Sequence, residues 1–395
     1  MTIVQISSHI NGSVGKIMRD IHSALIARGE SSYILYARGN APEIPNAIKV
    51  NSKFGIYCDA LKTRLFDNAG RNSYFATKKI ISLLKKISPD VIHLHCLHGY
   101  YINYKLLFRY LKQADVKVVW TMHDCWAYTG HCCYYSYADC EKWQRECDNC
   151  SYKSTYPKSS FFDRAKKNFI LKKKYFTSLN REKVILVVPS KWLKSQLENS
   201  FLNIYNIKVV YNGISLDVFR PIETPIKKQL SLHDKKIILG VANVWEPRKG
   251  LEDFIYLSKN LNSSYKIVVV GVSEKQKLSL PENIISLSRT DSLDKLIQMY
   301  AAADWFFNPS VEETFGMTSI EALACGTPVI VYNKTALPEI IDESCGKIFN
   351  NVEEVIEFFA KKADTTTISV SSCVERANVF SLENMLEGYF NLYGF

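Results

Sequence analysis

The chain lacks any run of about 18 apolar residues free of charge, so no helix of it is expected to span a bilayer. Its opening, Met1-Thr-Ile-Val-Gln-Ile-Ser-Ser8, has no basic n-region and no cleavage site, which argues against a signal peptide and for the cytoplasm. Repeats of solenoid period and low-complexity tracts are missing too, which excludes solenoid and fibrous architectures. A disulfide framework is not expected: eleven cysteines without an export signal belong to a reducing compartment. No known nucleic-acid motif accompanies the net charge of +11, so the anionic partner that this charge favours is a phosphorylated small molecule or an acidic membrane surface.

The 395 residues are 47% hydrophobic and 23% charged, the balance of a globular protein long enough for two domains. Thr2–Ser8 reads as a buried strand, Asn11–Gly15 as a tight polar loop, and Ile17, Ile21, Ala24 and Leu25 as the stripe of a helix that Gly29 stops. Strand-length apolar runs follow at Tyr33–Ala37, Asp90–His95, Val116–Met122 and Val184–Pro189, and Ser190 is placed to N-cap the helix over 191–199. Asn212-Gly213 marks a turn, and the proline-bearing stretch 220–236 reads as a linker. A second series then begins: strand 237–242, helix 251–261, strand 266–271, helix 293–302, strand 305–308, helix 318–324 and strand 328–332. Leu382, Met385, Leu386, Tyr389 and Tyr393 mark a last amphipathic helix. This alternation predicts two α/β, doubly wound parallel-sheet domains. The expected bounds are 1–215, with a Cys-rich insertion at about 125–155, then 216–375, and a C-terminal helix over 376–395 packing back on the first domain.

One segment concentrates chemistry. In Asn308-Pro-Ser-Val-Glu-Glu-Thr-Phe-Gly-Met-Thr-Ser-Ile-Glu321, Glu313 falls in a loop and Glu321 in the helix after it. Gly316 permits close backbone approach, and the N–H groups at Met317 and Thr318 form a helix N-terminus suited to phosphate. A carboxylate beside it can accept hydrogen bonds from sugar hydroxyls.

This segment, with Ala324-Cys-Gly-Thr-Pro-Val329, resembles the E-x7-E signature and following run of family 4 retaining glycosyltransferases, which have the GT-B fold: two Rossmann-like domains facing across a cleft. The resemblance extends in order along most of the chain, through Asn11–Gly15, Asp90–His95, Thr121-Met-His-Asp124, Val188–Trp192, Tyr211–Pro221 and Pro247-Arg-Lys-Gly250. It implies that Glu321 binds the donor ribose, Glu313 the donor sugar, and Lys249 the diphosphate leaving group. It also implies that His123 lies near the reacting centre, and that Gly12 and Gly15 let their loop approach phosphate or acceptor. The family's arginine before this lysine is replaced by Ala242-Asn243-Val244, which leaves Arg248 as the candidate substitute and Asn243 at the donor site. The donor implied is a UDP- or GDP-linked sugar and the acceptor a saccharide or lipid-linked saccharide in polysaccharide biosynthesis, with no cofactor for catalysis. His93, His95 and His98 read as packing or capping groups at a strand end.

Cys132, Cys140, Cys147 and Cys150 supply four thiols, the ligand count of a closed structural Zn2+ site, with Cys125, Cys133 and His131 able to exchange into the set. Packed free thiols and a redox-sensitive pair are the other readings, and the insertion is expected to shape acceptor recognition. Residues 152–176 interleave Lys158, Arg164, Lys166, Lys167 and Lys172–Lys174 with aromatics. They read either as a helix burying its aromatics or as a patch for the inner face of an anionic membrane. The competing functions are a GT-B epimerase or phosphorylase, and a non-catalytic, zinc-stabilised glycan- or lipid-binding protein on the same frame.

Overall fold

A computed structural model describes residues 1–290, 292–361 and 368–395. Two units emerge: Met1–Val210 together with Leu386–Phe395, and Tyr211–Met385. The first is built on seven strands, β1 (Thr2–His9), β2 (Ser31–Arg38), β3 (Ala47–Lys49), β4 (Val91–Leu94), β5 (Lys117–Thr121), β6 (Val184–Val188) and β7 (Asn206–Val209). Their order is β3-β2-β1-β4-β5-β6-β7, and all pairs are parallel. The second carries β8 (Lys236–Val241), β9 (Tyr265–Val270), β10 (Ile284–Leu287), β11 (Trp305–Asn308), β12 (Val329–Tyr332) and β13 (Gly346–Phe349), ordered β10-β9-β8-β11-β12-β13 and again parallel.

Each sheet reverses direction between its first strand and the fourth, β1 beside β4 and β8 beside β11. Ligands of doubly wound sheets bind at the carboxyl ends of strands beside such a reversal. Parallel strands covered by helices on both faces must be apolar throughout, and β4, β11 and β12 are buried at every residue. No helix among the described residues is long and apolar enough to cross a membrane.

Several expectations change. Asn11–Gly15 is not a loop: a helix runs over Gly12–Ala27, and Gly12 takes φ +78° to turn the chain into it directly from the strand end. Stretch 220–236 is no linker, since it forms a short helix at Ile226–Gln229 and buries Ile226 and Leu232 in the core of the second unit. Its prolines bend a packed segment rather than loosen it. Ser190 does cap its helix, accepting from Leu193 N at 3.1 Å. In the basic stretch, helix Ala165–Phe176 buries Phe169 and Phe176, and with them Lys172. The Lys172 ammonium donates to the carbonyls of Trp126 (2.6 Å) and Thr129 (3.0 Å) and lies over the Trp126 ring. Burial lowers its pKa to about 7. Lys172 is therefore a staple for the insertion rather than part of a solvated face.

Candidate active site

The loops at the carboxyl ends of β8 and β11 are laced together. After β8 the chain makes a single turn at Pro247–Lys249 and reaches Gly250 at φ +73°. A Cβ there would lie 2.7 Å from the Pro309 carbonyl, so only glycine lets the two loops touch. Val311 N donates to Arg248 O at 2.9 Å, and the Arg248 guanidinium donates to Glu312 O at 2.7 Å and to the Glu246 carboxylate at 3.0 Å. This lacing brings the Lys249 ammonium onto the Glu313 carboxylate as an ion pair. Burial alone would raise the Glu313 carboxyl. The charges of Lys249 and Arg248, with hydrogen bonds from Lys249 and Ser310, outweigh that and hold it below its ordinary range. The Glu313 amide donates to Thr335 Oγ1 at 2.9 Å, which fixes the loop from its other side.

Gly316, at φ +114°, opens the helix Met317–Ala324. The positive end of that helix falls at Met317 and Thr318, just beyond Glu313. Glu321 lies one turn further and accepts from the Tyr300 hydroxyl at 2.8 Å. Tyr300 is fully buried and so fixes the carboxylate's orientation. Asn243 is placed elsewhere, in a cavity of about 750 Å³ at the carboxyl ends of β8, β9 and β10, lined also by Gly271, Gln276, Ser288 and Arg289. Its side-chain oxygen accepts from the Arg289 guanidinium. Arg289, Tyr300 and Thr335 escaped the sequence reading. For Arg289 a signal existed, a cation two residues beyond a strand end of a doubly wound sheet.

In the first unit, Gly12 has open space where a side chain would go, whereas a Cβ at Gly15 would meet the Ile10 carbonyl carbon at 2.3 Å. Gly15 therefore serves the close packing of its helix on the chain at Ile10. His123 follows β5 and its Nε2 is 3.0 Å from His95 Nδ1, while His95 Nε2 reaches Gln5 Oε1 at 3.2 Å. His93 bonds Tyr393 and Thr121, at 2.7 and 2.8 Å. Burial holds His123 down to about 4 and His93 to about 3, so both are neutral near pH 7. Burial also opposes a charge on His98. Asp124, 2.6 Å away, with Cys133 and Tyr156, outweighs it and raises His98 well above its ordinary value. Where the folded value lies below the unfolded one, near 6.5, stability is lost as pH falls through that window. His98 adds a constant contribution below 6.5. Thermal melts from pH 7 to pH 5 should therefore show falling stability, by up to about 1.4 kcal/mol per pH unit for each histidine titrating. A flat profile would contradict the buried, neutral state of His93 and His123.

Cys132, Cys140, Cys147 and Cys150 line one small cavity of about 60 Å³ together with His131. The interaction with the Cys132 thiol holds Cys150 below the ordinary thiol range, and Cys147 Sγ accepts from Gly130 N at 3.1 Å. His131 Nδ1 binds Asp67 at 2.7 Å, and its Nε2 is buried with no hydrogen-bond partner among the described residues. The four sulfurs share a cavity but are not drawn to ligand spacing. Among the described residues, the one set of three such groups with all ligand atoms within 4.8 Å of one another is Cys96, His98 and Asp124.

Two parallel-sheet Rossmann-like units of this strand order are those of the GT-B class. The profile of Glycosyltransferase Family 4 matches residues 14–218 and that of Glycosyl transferases group 1 matches 222–362; the chain belongs to glycosyltransferase family 4. It is 23% identical over its whole length to the "Putative colanic acid biosynthesis glycosyl transferase WcaC" of Escherichia coli (strain K12), covering 99% of that protein. A glycosyltransferase from Rickettsia africae ESF-5 superposes with a TM-score of 0.70 at 19% identity, over 99% of this chain and 97% of the other. Anabaena Alr3699/HepE, in complex with UDP-glucose, gives 0.66 at 13% identity, over 99% of each chain.

Proposed function

We propose that the protein transfers a sugar, with retention of configuration, from a nucleoside-diphosphate sugar to a hydroxyl of a saccharide or lipid-linked saccharide in polysaccharide biosynthesis. The observation that carries this reading is the Lys249–Glu313 pair, held beside Arg248 and the helix N-terminus at Gly316. Negative charge accumulates on the leaving diphosphate as its bond to the sugar breaks. Lys249 and the backbone N–H groups of Met317 and Thr318 face that charge, and Arg248 stands behind them in place of the family's arginine. Glu313 accepts from sugar hydroxyls, and Glu321, oriented by Tyr300, accepts from the ribose. The nucleoside lies along the Asn243–Arg289 cavity. The neutral His123 contacts the sugar or acceptor. With these groups in place no cofactor is required for catalysis, and the donor's own phosphate receives the acceptor proton on the face that the leaving group vacates. The relative from E. coli supports a polysaccharide role, and the UDP-glucose complex of the Anabaena protein supports a nucleotide-sugar donor, which we take to be UDP- or GDP-linked.

Incubation with a panel of UDP- and GDP-sugars tests the reading. Wild-type protein should release nucleoside diphosphate, and Glu313→Ala should not. Binding of every donor without turnover would favour a non-catalytic glycan-binding role instead. Arg289→Ala should raise the donor KM about tenfold with little change in kcat, because it removes a charged hydrogen bond remote from the reacting bond.

Structural Zn2+ at Cys132, Cys140, Cys147 and Cys150 belongs to the same proposal. Four thiols around one cavity, with a buried His131 Nε2 that has no hydrogen-bond partner among the described residues, are the donor chemistry that zinc takes. Protein purified without chelator should carry about one zinc per chain, and Cys147→Ser should lose it along with thermal stability. A metal-free wild type would overturn this part. Lys158, Lys166 and Lys167 remain candidates for contact with an anionic membrane. Flotation with vesicles that does not depend on anionic lipid would remove that role.

A further inference from the structure

Helix Lys53–Phe66 is amphipathic the wrong way round. Its inner face carries Asp59 and Thr63, both buried, whereas Phe54, Tyr57 and Leu61 are 77%, 74% and 58% exposed. The spacing of three and four residues puts these three side chains on one stripe. This rotation is specified, because the Asp59 carboxylate accepts from Thr63 (3.2 Å) and Asn72 (2.9 Å) and from both the amide and the hydroxyl of Ser73. Turning the apolar stripe inward would break all of them and leave a buried charge unpaired. The stripe continues past the helix end. Phe66 stacks on the exposed Phe162 at 6.0 Å, and Ser160 N donates to Arg64 O at 2.8 Å. An exposed apolar surface maintained by its own hydrogen-bond network marks a docking surface.

The same helix walls a groove of about 1150 Å³ whose lining includes four cations. Arg38 and Lys49 stand at the carboxyl ends of β2 and β3, and Lys53 and Arg64 come from the helix. The Arg38 guanidinium lies 5.1 Å from the Tyr100 ring, and its Nε is buried with no hydrogen-bond partner among the described residues. A flat basic patch suits a bilayer, but four cations in a concavity suit one compact anion, and arginine pairs with phosphate oxygens through parallel hydrogen bonds.

We propose that this groove and helix face bind the lipid diphosphate of the acceptor, with the diphosphate between Arg38, Lys49, Lys53 and Arg64 and the hydrocarbon chain along Phe54, Tyr57 and Leu61. The proposal rests on the glycosyltransferase reading above and names the acceptor as a lipid-diphosphate-linked saccharide. Charge complementarity selects the headgroup, and the adjacent apolar stripe selects an amphiphile over a soluble anion.

Farnesyl diphosphate is the probe, titrated calorimetrically into the full-length Lys249→Ala chain so that diphosphate at the second unit does not contribute. It should bind at least about tenfold more tightly than either inorganic diphosphate or farnesol, as expected when both halves of the ligand are engaged. Arg64→Ala and the double variant Tyr57→Ser/Leu61→Ser should each reduce it to the level of the fragments. These residues are exposed, and an unchanged melting curve verifies that the variants fold. Equal affinity for inorganic diphosphate, or variants that bind like the parent, would overturn the proposal. So would a protein that responds to anionic phospholipid vesicles and not to farnesyl diphosphate. A thermal shift of the wild type with nucleotide sugars is read separately: its absence would sink the glycosyltransferase reading, whereas its presence with no farnesyl diphosphate binding sinks the groove alone.

Discussion

Replacing Lys249 by alanine should lower kcat by about two to three orders of magnitude, the usual cost of losing one group aimed at developing charge. The ammonium is paired with Glu313, so a diphosphate must compete with that carboxylate or share the lysine with it. Removing the lysine leaves Glu313 buried with only the charge of Arg248 and the hydrogen bond from Ser310 to hold it. Its carboxyl should then titrate higher, and the residual activity should depend on pH in the mildly acidic range where wild type does not. Initial rates against donor concentration at several pH values measure both effects. A variant with wild-type kcat would mean that the pair is structural. Lys249→Arg should restore part of the rate, since charge matters more here than shape.

The second large effect is one of stability. Asp67 ends helix Lys53–Phe66 in a left-handed conformation. Its carboxylate accepts from His131 Nδ1 at 2.7 Å and from Arg164 N at 2.7 Å, and its carbonyl accepts from Asn168 Nδ2 at 2.9 Å. Both partners of the His131 pair are only 1% exposed. Asp67→Asn keeps the shape and tolerates the left-handed backbone, but it presents an amide where two donors converge. The expected loss is about 3 kcal/mol, that of breaking a buried charged hydrogen bond and stranding its partner. Urea denaturation with an unchanged m-value would report it. A loss below about 0.5 kcal/mol, the scale of an ordinary surface substitution, would show that the insertion is anchored elsewhere.

Much of the scaffold was legible because parallel strands must be apolar on both faces. β4, β5, β6, β8, β9, β11 and β12 are largely such runs. The Glu313–Glu321 segment and Lys249 were legible for a different reason. Their chemistry is carried by short sequence spacings within single strand-to-helix connections. What joins two connections left no such trace. The contact of Arg248 with Glu312 and that of Arg289 with Asn243 span 64 and 46 residues, and nothing local encodes them. The stretch 220–236 was misread because prolines signal a break in regular structure, which is not the same as a break in packing. Gly12 and Gly15 look alike in sequence, yet one needs its backbone angle and the other its missing Cβ. Helix Lys53–Phe66 hid for the opposite reason: a pattern that buries aspartate and exposes phenylalanine defeats any rule that places apolar residues inside.

The division of helix Leu382–Tyr393 has a consequence for biogenesis. Tyr389 and Tyr393 bond Thr121 and His93 inside the first unit, and Arg28 lies over the Phe390 ring at 4.6 Å. These residues leave the ribosome only after the whole of Tyr211–Met385 has been made. A nascent first unit thus waits, with polar groups of β4 and β5 uncovered, until a stretch synthesised last returns to close it. Chains stalled within the second unit should be open to protease at the first, and the two units should gain resistance together upon release.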